Sequence, residues 1–282
     1  GEGGLMGITV HPRYPQQPYV YVMYTYRDGG ALYNKVERYE DQGRTAGFDR
    51  VIVDRVPGAR FHNGGRIAFG PDGMLYITAG ENFRAELAQD LDSLGGKILR
   101  LTPDGEVPED NPFDGSPVYT YGHRNPQGLA WHPETADLFS SEHGPSGEFG
   151  LRGHDMVNVI RKGENYGWPR VVGEGNDPEY QDPLVLWKRT TPPAGMAFWE
   201  GRLYLASLRA RTLLRIDLSR SGDGYDVRSI ERLFNDGSEN LYGRLRAVAV
   251  GPDGALYVGT SNRDGRGNPT EGDDRILRIR LR

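Results

Sequence analysis

The sequence contains no cysteine, which excludes disulfides and thiolate metal sites and leaves the redox compartment open. Lysine is nearly missing too: of 34 basic residues only Lys35, Lys97, Lys162 and Lys188 are lysines, and the others are arginines. No apolar run approaches the roughly 18 residues that a membrane-spanning helix requires, so no membrane span is expected. No signal peptide is recognisable, and the abrupt start at Gly1-Glu2-Gly3-Gly4 is read as that of a trimmed chain. A concentrated basic block is lacking, and with a formal net charge of −5 nucleic acid is not an expected partner. Long helical periodicity is absent as well. Only Glu81 to Gly95 has room for two helical turns.

What the chain has in quantity is turns and short alternating strands. Its 40 glycines and 19 prolines are spread along the whole length rather than gathered in one tail. Two strands joined by a tight turn recur as "ITVHPRYPQQPYVYVMY" from Ile8, "IAFGPDGMLYITAG" from Ile67 and "LAWHPETADLFSSEHG" from Leu129. They return as "MAFWEGRLYLASL" from Met196 and "VAVGPDGALYVGTSN" from Val248. Pro-Asp-Gly or an equivalent supplies each turn. A third strand follows every pair ("NKVERYE", "GGKILRLT", "DMVNVIR", "RTLLRIDL", "DDRILRIRL") and a fourth follows most of them. Four antiparallel strands at such intervals specify an all-β fold, a β-propeller of four-stranded antiparallel blades. Five units are present, and a closed ring of six is expected. The closing blade is then incomplete in this chain and its remaining strands lie upstream of Gly1. Residues 1–282 are read as one propeller domain.

In a four-stranded blade the crossing between blades and the loop between the second and third strands lie on one face. The polar residues that a simple turn does not need fall in those two sets: "GEGGLMG", "FHNGGR", "YGHRNPQG" and "LYGRLRA" among the crossings, "EHGPSGEFGLRGHD" and "SLRAR" among the loops. Function is therefore expected at one mouth of the propeller. Arg124, Arg209, Arg244 and Arg246 gather there. Arg244 and Arg246, two residues apart on an extended segment, point to one side. Guanidinium groups in a cleft suit carboxylates or phosphates, because the fork pairs bidentately with planar oxygens. Surface ion pairing is the plainer alternative for any single one of them.

His62, held in the turn "FHNGG" just before an inner strand, can take a proton from an alcohol; capping that turn is its plainer role. The other histidines show no zinc-type spacing, so a transition-metal site is not expected. In "SEHGPSGEFG" the carbonyls around Gly144 and Pro145 are free to face a hard cation, although Gly-Pro is also a common turn dipeptide.

Taken together, "FHNGGRIAFGPDGMLYIT", "GKILRLTPDGEVPEDNPF", "YGHRNPQGLAWHP", "SEHGPSGEFG" and "NYGWP" resemble the soluble glucose/sorbosone dehydrogenase family, quinoproteins that use pyrroloquinoline quinone (PQQ) and Ca2+. The resemblance runs from Gly1 to Arg282 and implies an aldose dehydrogenase that passes electrons to an external acceptor, in the periplasm. It implies His62 as the general base toward the anomeric hydroxyl and Asn125 and Gln127 as cofactor contacts. Arg124 falls in the sugar and cofactor pocket, and Arg209, Arg244 and Arg246 lie on the cofactor. Glu2 stands on the substrate side, where the family's glucose enzymes carry glutamine. The carbonyls of Gly144 and Pro145 correspond to the cofactor's calcium ligands, and Met156 and Tyr166 to a second calcium site. Arg209 replaces a lysine, His143 a glutamine and Met156 a carboxylate, and the loop around "KRTTPPAGM" is shortened. A more open pocket and broad aldose use follow. Two other functions remain on the sequence: a calcium-dependent lactonase-type hydrolase, and a non-enzymatic propeller that binds a sugar or a protein.

Overall fold

The computed structural model describes residues 1–235 and 240–280. Among them are nineteen strands and two 3-10 turns, and the strands form five sheets, each in chain order. The first sheet is β1 (Leu5–Val10), β2 (Tyr19–Asp28), β3 (Ala31–Asp41) and β4 (Ala46–Pro57). The second is β5 (Ile67–Phe69), β6 (Leu75–Ala79), β7 (Lys97–Leu101) and β8 (Val118–Tyr121). The third runs through β9 (Pro126–Trp131), β10 (Leu138–Glu142), β11 (Asp155–Ile160) and β12 (Val185–Trp187). The fourth is β13 (Pro193–Trp199), β14 (Arg202–Ser207), β15 (Thr212–Ser221) and β16 (Gly224–Leu233). β17 (Leu245–Val250), β18 (Leu256–Thr260) and β19 (Ile276–Ile279) make a fifth sheet of three strands.

These sheets are the antiparallel blades of a β-propeller. The expectation of six blades is corrected to five. The hairpin motif occurs five times, each copy nucleates one sheet, and no described strand is left over for a sixth. The helical expectation for Glu81 to Gly95 shrinks to one 3-10 turn, Ala85–Ala88, in the loop between β6 and β7.

The repeat is visible atom by atom. At the β5–β6 turn, Gly70 N donates to Met74 O (2.9 Å), Gly73 N to Gly70 O (2.9 Å) and Met74 N to Asp72 Oδ1 (3.1 Å). At the β17–β18 turn, Gly251 N, Gly254 N and Ala255 N repeat the pattern on Ala255 O, Gly251 O and Asp253 Oδ1. The other oxygen of each aspartate then clasps the next two strands. Asp72 Oδ2 accepts from Tyr76 Oη on β6 (2.9 Å) and Arg100 Nε on β7 (3.0 Å). Asp253 Oδ2 accepts from Tyr257 on β18 (3.0 Å) and Arg278 Nε on β19 (2.8 Å). One short side chain thus fixes the turn and the register of three strands.

The chain divides into two compact units, Gly1–Pro126 with Ile160–Gln181, and Gln127–Val159 with Asp182–Arg282. The first is built on Tyr21, Met23, Val36, Val56, Leu75, Ile77, Leu99 and Val118, all 2% exposed or less. The inner strands β6 and β7 are buried at every residue, as a strand covered on both faces must be. The second unit has a core around Phe139, Val157, Leu203, Leu205 and Ile216 and another around Leu213, Leu245, Leu256 and Val258.

Candidate active site

In the first unit, the segment between β4 and β5, the β6–β7 loop and the segment between β8 and β9 bring four polar side chains together. His62 precedes β5 with φ of 57°, in the left-handed region, at a cost on the order of 1–3 kcal/mol. Its carbonyl accepts from Asn82 N (3.2 Å). The segment after it is pinned where Gly64 N donates to Asn125 Oδ1 (3.0 Å). Gly80, at the end of β6, passes so close that a β-carbon would collide with the His62 carbonyl.

His62 is buried and both ring nitrogens are engaged. Nδ1 lies 2.6 Å from Glu81 Oε1 and Nε2 lies 2.8 Å from Arg124 Nη2. Guanidinium nitrogens only donate, so Nε2 is the acceptor and carries the lone pair. The ring proton then sits on Nδ1 and is donated to Glu81. The tautomer of a neutral imidazole with a basic Nε2 is thereby fixed by its two neighbours.

Those neighbours are themselves deeply buried, Glu81 at 2% exposure and Arg124 at 2%. Glu81 N donates to Arg124 O (2.9 Å), tying the two segments main chain to main chain. The Arg124 guanidinium also faces the Trp168 ring at 5.6 Å, which is favourable for a cation. Glu81 Oε2 is buried and has no hydrogen-bond partner. That is a costly state for a carboxylate oxygen, and it offers an acceptor beside the imidazole to a group that donates. Glu2 Oε2 accepts from His62 N (3.3 Å), so the residue expected on the substrate side stands at the histidine's main chain.

The β6–β7 loop owes its base to Lys97, the first residue of β7. Its ammonium is fully buried and donates to Leu87 O (2.6 Å), Gly95 O (2.6 Å) and Ala88 O (3.3 Å). Three donors meet three carbonyls. Burial pushes Lys97 down to about 7, with Asp90 pulling the other way.

In the second unit, Arg244 and Arg246 do point to one side, and both lean on a single carboxylate oxygen. Asp264 Oδ2 accepts from Arg244 Nε (3.0 Å) and Nη2 (2.9 Å) and from Arg246 Nη2 (3.2 Å); Arg246 Nε donates to Ser261 Oγ (2.9 Å). Burial pushes the Asp264 carboxyl up, but the Arg266 amide and the two arginines outweigh it and hold it below the usual range. Two guanidinium groups against one carboxylate leave the cluster positive, and Arg246 keeps 41% of its side chain at the surface. This donor set fits a planar polyanion. Arg209 is exposed in the β14–β15 loop, and Gln127 stands on β9.

Gly144 follows β10. A β-carbon there would collide with the carbonyls of Gly153 and His154, so main-chain oxygens crowd this stretch as a hard cation prefers. Pro145 O accepts from Gly153 N (3.1 Å). Both oxygens of the buried Asp155 are used by amides, those of Gly144 (3.1 Å) and Thr191 (2.6 Å). Met156 lies in β11 opposite Leu186, and its thioether is too soft a donor for such an ion. Tyr166, in the first unit, accepts at its hydroxyl from Arg161 N (2.8 Å) and stacks on His123 (4.6 Å, 20°); burial pushes its phenol up and keeps it neutral. The donor chemistry therefore suits a planar polyanion at Arg244 and Arg246, and the main-chain oxygens around Gly144 are of the type a hard cation takes. It does not fit side-chain ligation of a second ion by Met156 and Tyr166.

Sequence reading missed Glu81, Lys97 and Asp264. The signal was their place in the repeat: Glu81 and Asp264 both open the loop after the second strand of a blade, in "GENF" and "SNRDG".

The family profile for glucose/sorbosone dehydrogenase matches residues 1–278. The chain belongs to the glucose/sorbosone dehydrogenase family. It is 33% identical over 297 residues to an aldose sugar dehydrogenase of Escherichia coli, covering 94% of this chain and 76% of that protein. Among solved structures, an oxidoreductase of Thermus thermophilus described as a glucose dehydrogenase superposes with a TM-score of 0.92 at 56% identity, covering 99% of this chain and 84% of that one. The PQQ-bound form of an aldose sugar dehydrogenase of Streptomyces coelicolor gives 0.87 at 42% identity, over 99% of this chain and 80% of that one. This family member is thus an oxidoreductase of the dehydrogenase type, and no helix among its described residues is long and apolar enough to cross a membrane.

Proposed function

We propose that the protein oxidises the anomeric carbon of aldose sugars to lactones, with PQQ and Ca2+ as cofactors, on a single propeller domain, and passes the electrons to an external acceptor outside the cytoplasm. The observation that carries this reading is the buried Glu81–His62–Arg124 array, which presents a basic imidazole nitrogen and fixes its tautomer.

A hydroxyl reaching Nε2 shares the position that Arg124 Nη2 holds in the free site, and Nε2 takes the hydroxyl proton. The imidazolium so formed is stabilised through Nδ1–H by the Glu81 carboxylate. Arg124 remains beside the oxygen that is losing its proton and favours the charge developing there. When bound, the quinone with its calcium supplies the hydride acceptor for the anomeric carbon. Arg244 and Arg246, with Arg209, Asn125 and Gln127, are proposed to hold the cofactor, Gly144 and Pro145 to ligate its calcium through their carbonyls, and Glu2 to flank the sugar. The crowded main-chain oxygens at Gly144 and the positive Arg244–Arg246 cluster support that assignment. General-base assistance of this kind contributes about 10²–10⁴-fold in rate.

The test is to load the folded apo-protein with calcium and quinone and follow dye reduction over a panel of aldoses. Turnover of several aldoses is expected. Tight quinone binding without turnover of any aldose contradicts the proposal.

A further inference from the structure

Trp168 lies between β11 and β12 and is buried, yet among the described residues it is not part of the apolar core of its unit. Its ring faces the Arg124 guanidinium instead, with Cζ 5.6 Å from the ring centroid. In the proposed chemistry this guanidinium caps His62 Nε2 (Nη2 at 2.8 Å) and then stays beside the oxygen that loses its proton. The segment that carries Trp168 is fixed from two sides. Toward the segment of Arg124, Tyr166 N donates to Tyr121 O and Trp168 N to Gly122 O, both at 2.9 Å. The approach is so close that a β-carbon at Gly122 would collide with Asn165 Oδ1 and with the Tyr166 and Gly167 amides. Toward the β6–β7 loop, Gln89 and Asn165 exchange side-chain amide bonds, Gln89 Nε2 to Asn165 Oδ1 and Asn165 Nδ2 to Gln89 Oε1, each 2.9 Å. Gln89 Nε2 also donates to Trp168 O (2.7 Å). Gln89 follows the 3-10 turn Ala85–Ala88 on the loop that Glu81 opens. One amide clamp therefore ties the loop of Glu81 to the ring that faces Arg124, and the two residues that hold His62 share one frame.

We infer that Trp168 is a positioning residue for the proton transfer: the negative face of its indole keeps the buried Arg124 cation in place, with Nη2 at His62 Nε2, and the Gln89–Asn165 clamp sets where that face stands. It acts through Arg124. This rests on the proposed aldose oxidation and adds to it the group that orients its guanidinium. An aromatic ring is negative on its faces and positive at its edge. A cation attracted to that face gains more when it has been stripped of water, as the buried Arg124 has. A leucine in place of the indole fills space and offers no such face. Without it the guanidinium is free to turn, Nε2 loses its defined neighbour, and the oxygen that is losing its proton loses the charge beside it.

The experiment replaces Trp168, at that site alone, by tryptophans carrying one, two and three ring fluorines. Each fluorine weakens the negative potential of the face and scarcely alters its shape. With calcium and quinone loaded, kcat for glucose is expected to fall in step with the fluorine count, to about tenfold below wild type at three, with KM changed by less than about threefold. Trp168→Phe, which keeps a face, should retain more activity than Trp168→Leu. A second readout needs no cofactor. In the cofactor-free protein the nitrogen-15 shift of His62 Nε2, which reports the bond from Arg124, should move in the same order while the unfolding temperature of the fluorinated proteins stays that of wild type. An unchanged kcat and an unchanged nitrogen shift across the series would show that the ring only fills space and overturn the inference. Absence of wild-type turnover overturns the aldose reading, and the nitrogen shift then still decides whether Trp168 positions Arg124, so the two failures are told apart.

Discussion

Glu81 Oε1 lies 2.6 Å from His62 Nδ1, across nineteen residues of sequence, and the pair is closed from the other side by Arg124. For the proposed function, this contact gives the histidine one defined proton-accepting atom. Glu81→Gln keeps the shape but removes the negative charge that stabilises the imidazolium formed when Nε2 takes a proton. The expected outcome is a fall in kcat of at least about 10²-fold with quinone affinity within about threefold, measured by steady-state kinetics and quinone titration. An equal loss in both would assign Glu81 to cofactor binding instead.

Asp264 is predicted to balance the arginine pair electrostatically. Asp264→Asn leaves the buried Arg244 without its carboxylate and is expected to cost about 3 kcal/mol of unfolding free energy. Saturating PQQ should recover more stability in this variant than in wild type, because the ligand's carboxylates replace the lost charge. Equal thermal shifts in the two proteins would separate the arginines from the cofactor. The acid limb carries the same sign. The Asp264 carboxyl is held below its usual range, so its stabilisation is present above the unfolded-state value and is lost as pH falls through the folded one.

Lys97 is shifted in the same direction, downward, so its pH dependence has the same sign in a higher window. Folded, it gives up its proton near about 7; unfolded, it holds it to about 10.4. Between those values the unfolded chain binds more protons, so wild-type stability gains up to about 1.4 kcal/mol per pH unit from this group, and nothing below the lower value. Denaturant titrations from about pH 6 to about pH 10 should show that slope in wild type and its loss in Lys97→Met. Identical pH profiles would mean that the buried ammonium keeps its proton throughout.

Much of this architecture was legible in the sequence because it is written locally. "GPDG" at Gly70 and again at Gly251 specifies a turn whose aspartate clasps two strands, and the structure repeats it bond for bond. His62, Arg124 and Asn125 were legible because no turn needs such side chains, and they meet in the first unit. The pairing of Arg244 with Arg246 followed from strand geometry alone. Glu81, Lys97 and Asp264 were not legible because an acid in a loop and a lysine at a strand start look solvated until burial is known. Lys97 fully buried is a fact of packing, not of pattern. The count of six blades failed for a related reason. A repeat shows how many blades a segment encodes, and the number in the ring was an expectation added to it.

The most direct test is single-turnover reduction of bound quinone by glucose carrying hydrogen or deuterium at the anomeric carbon, in wild type and His62→Ala. The account predicts a primary isotope effect in wild type, and for His62→Ala unchanged quinone binding with reduction slowed at least about 10²-fold. Reduction by His62→Ala within a few-fold of the wild-type rate would contradict it.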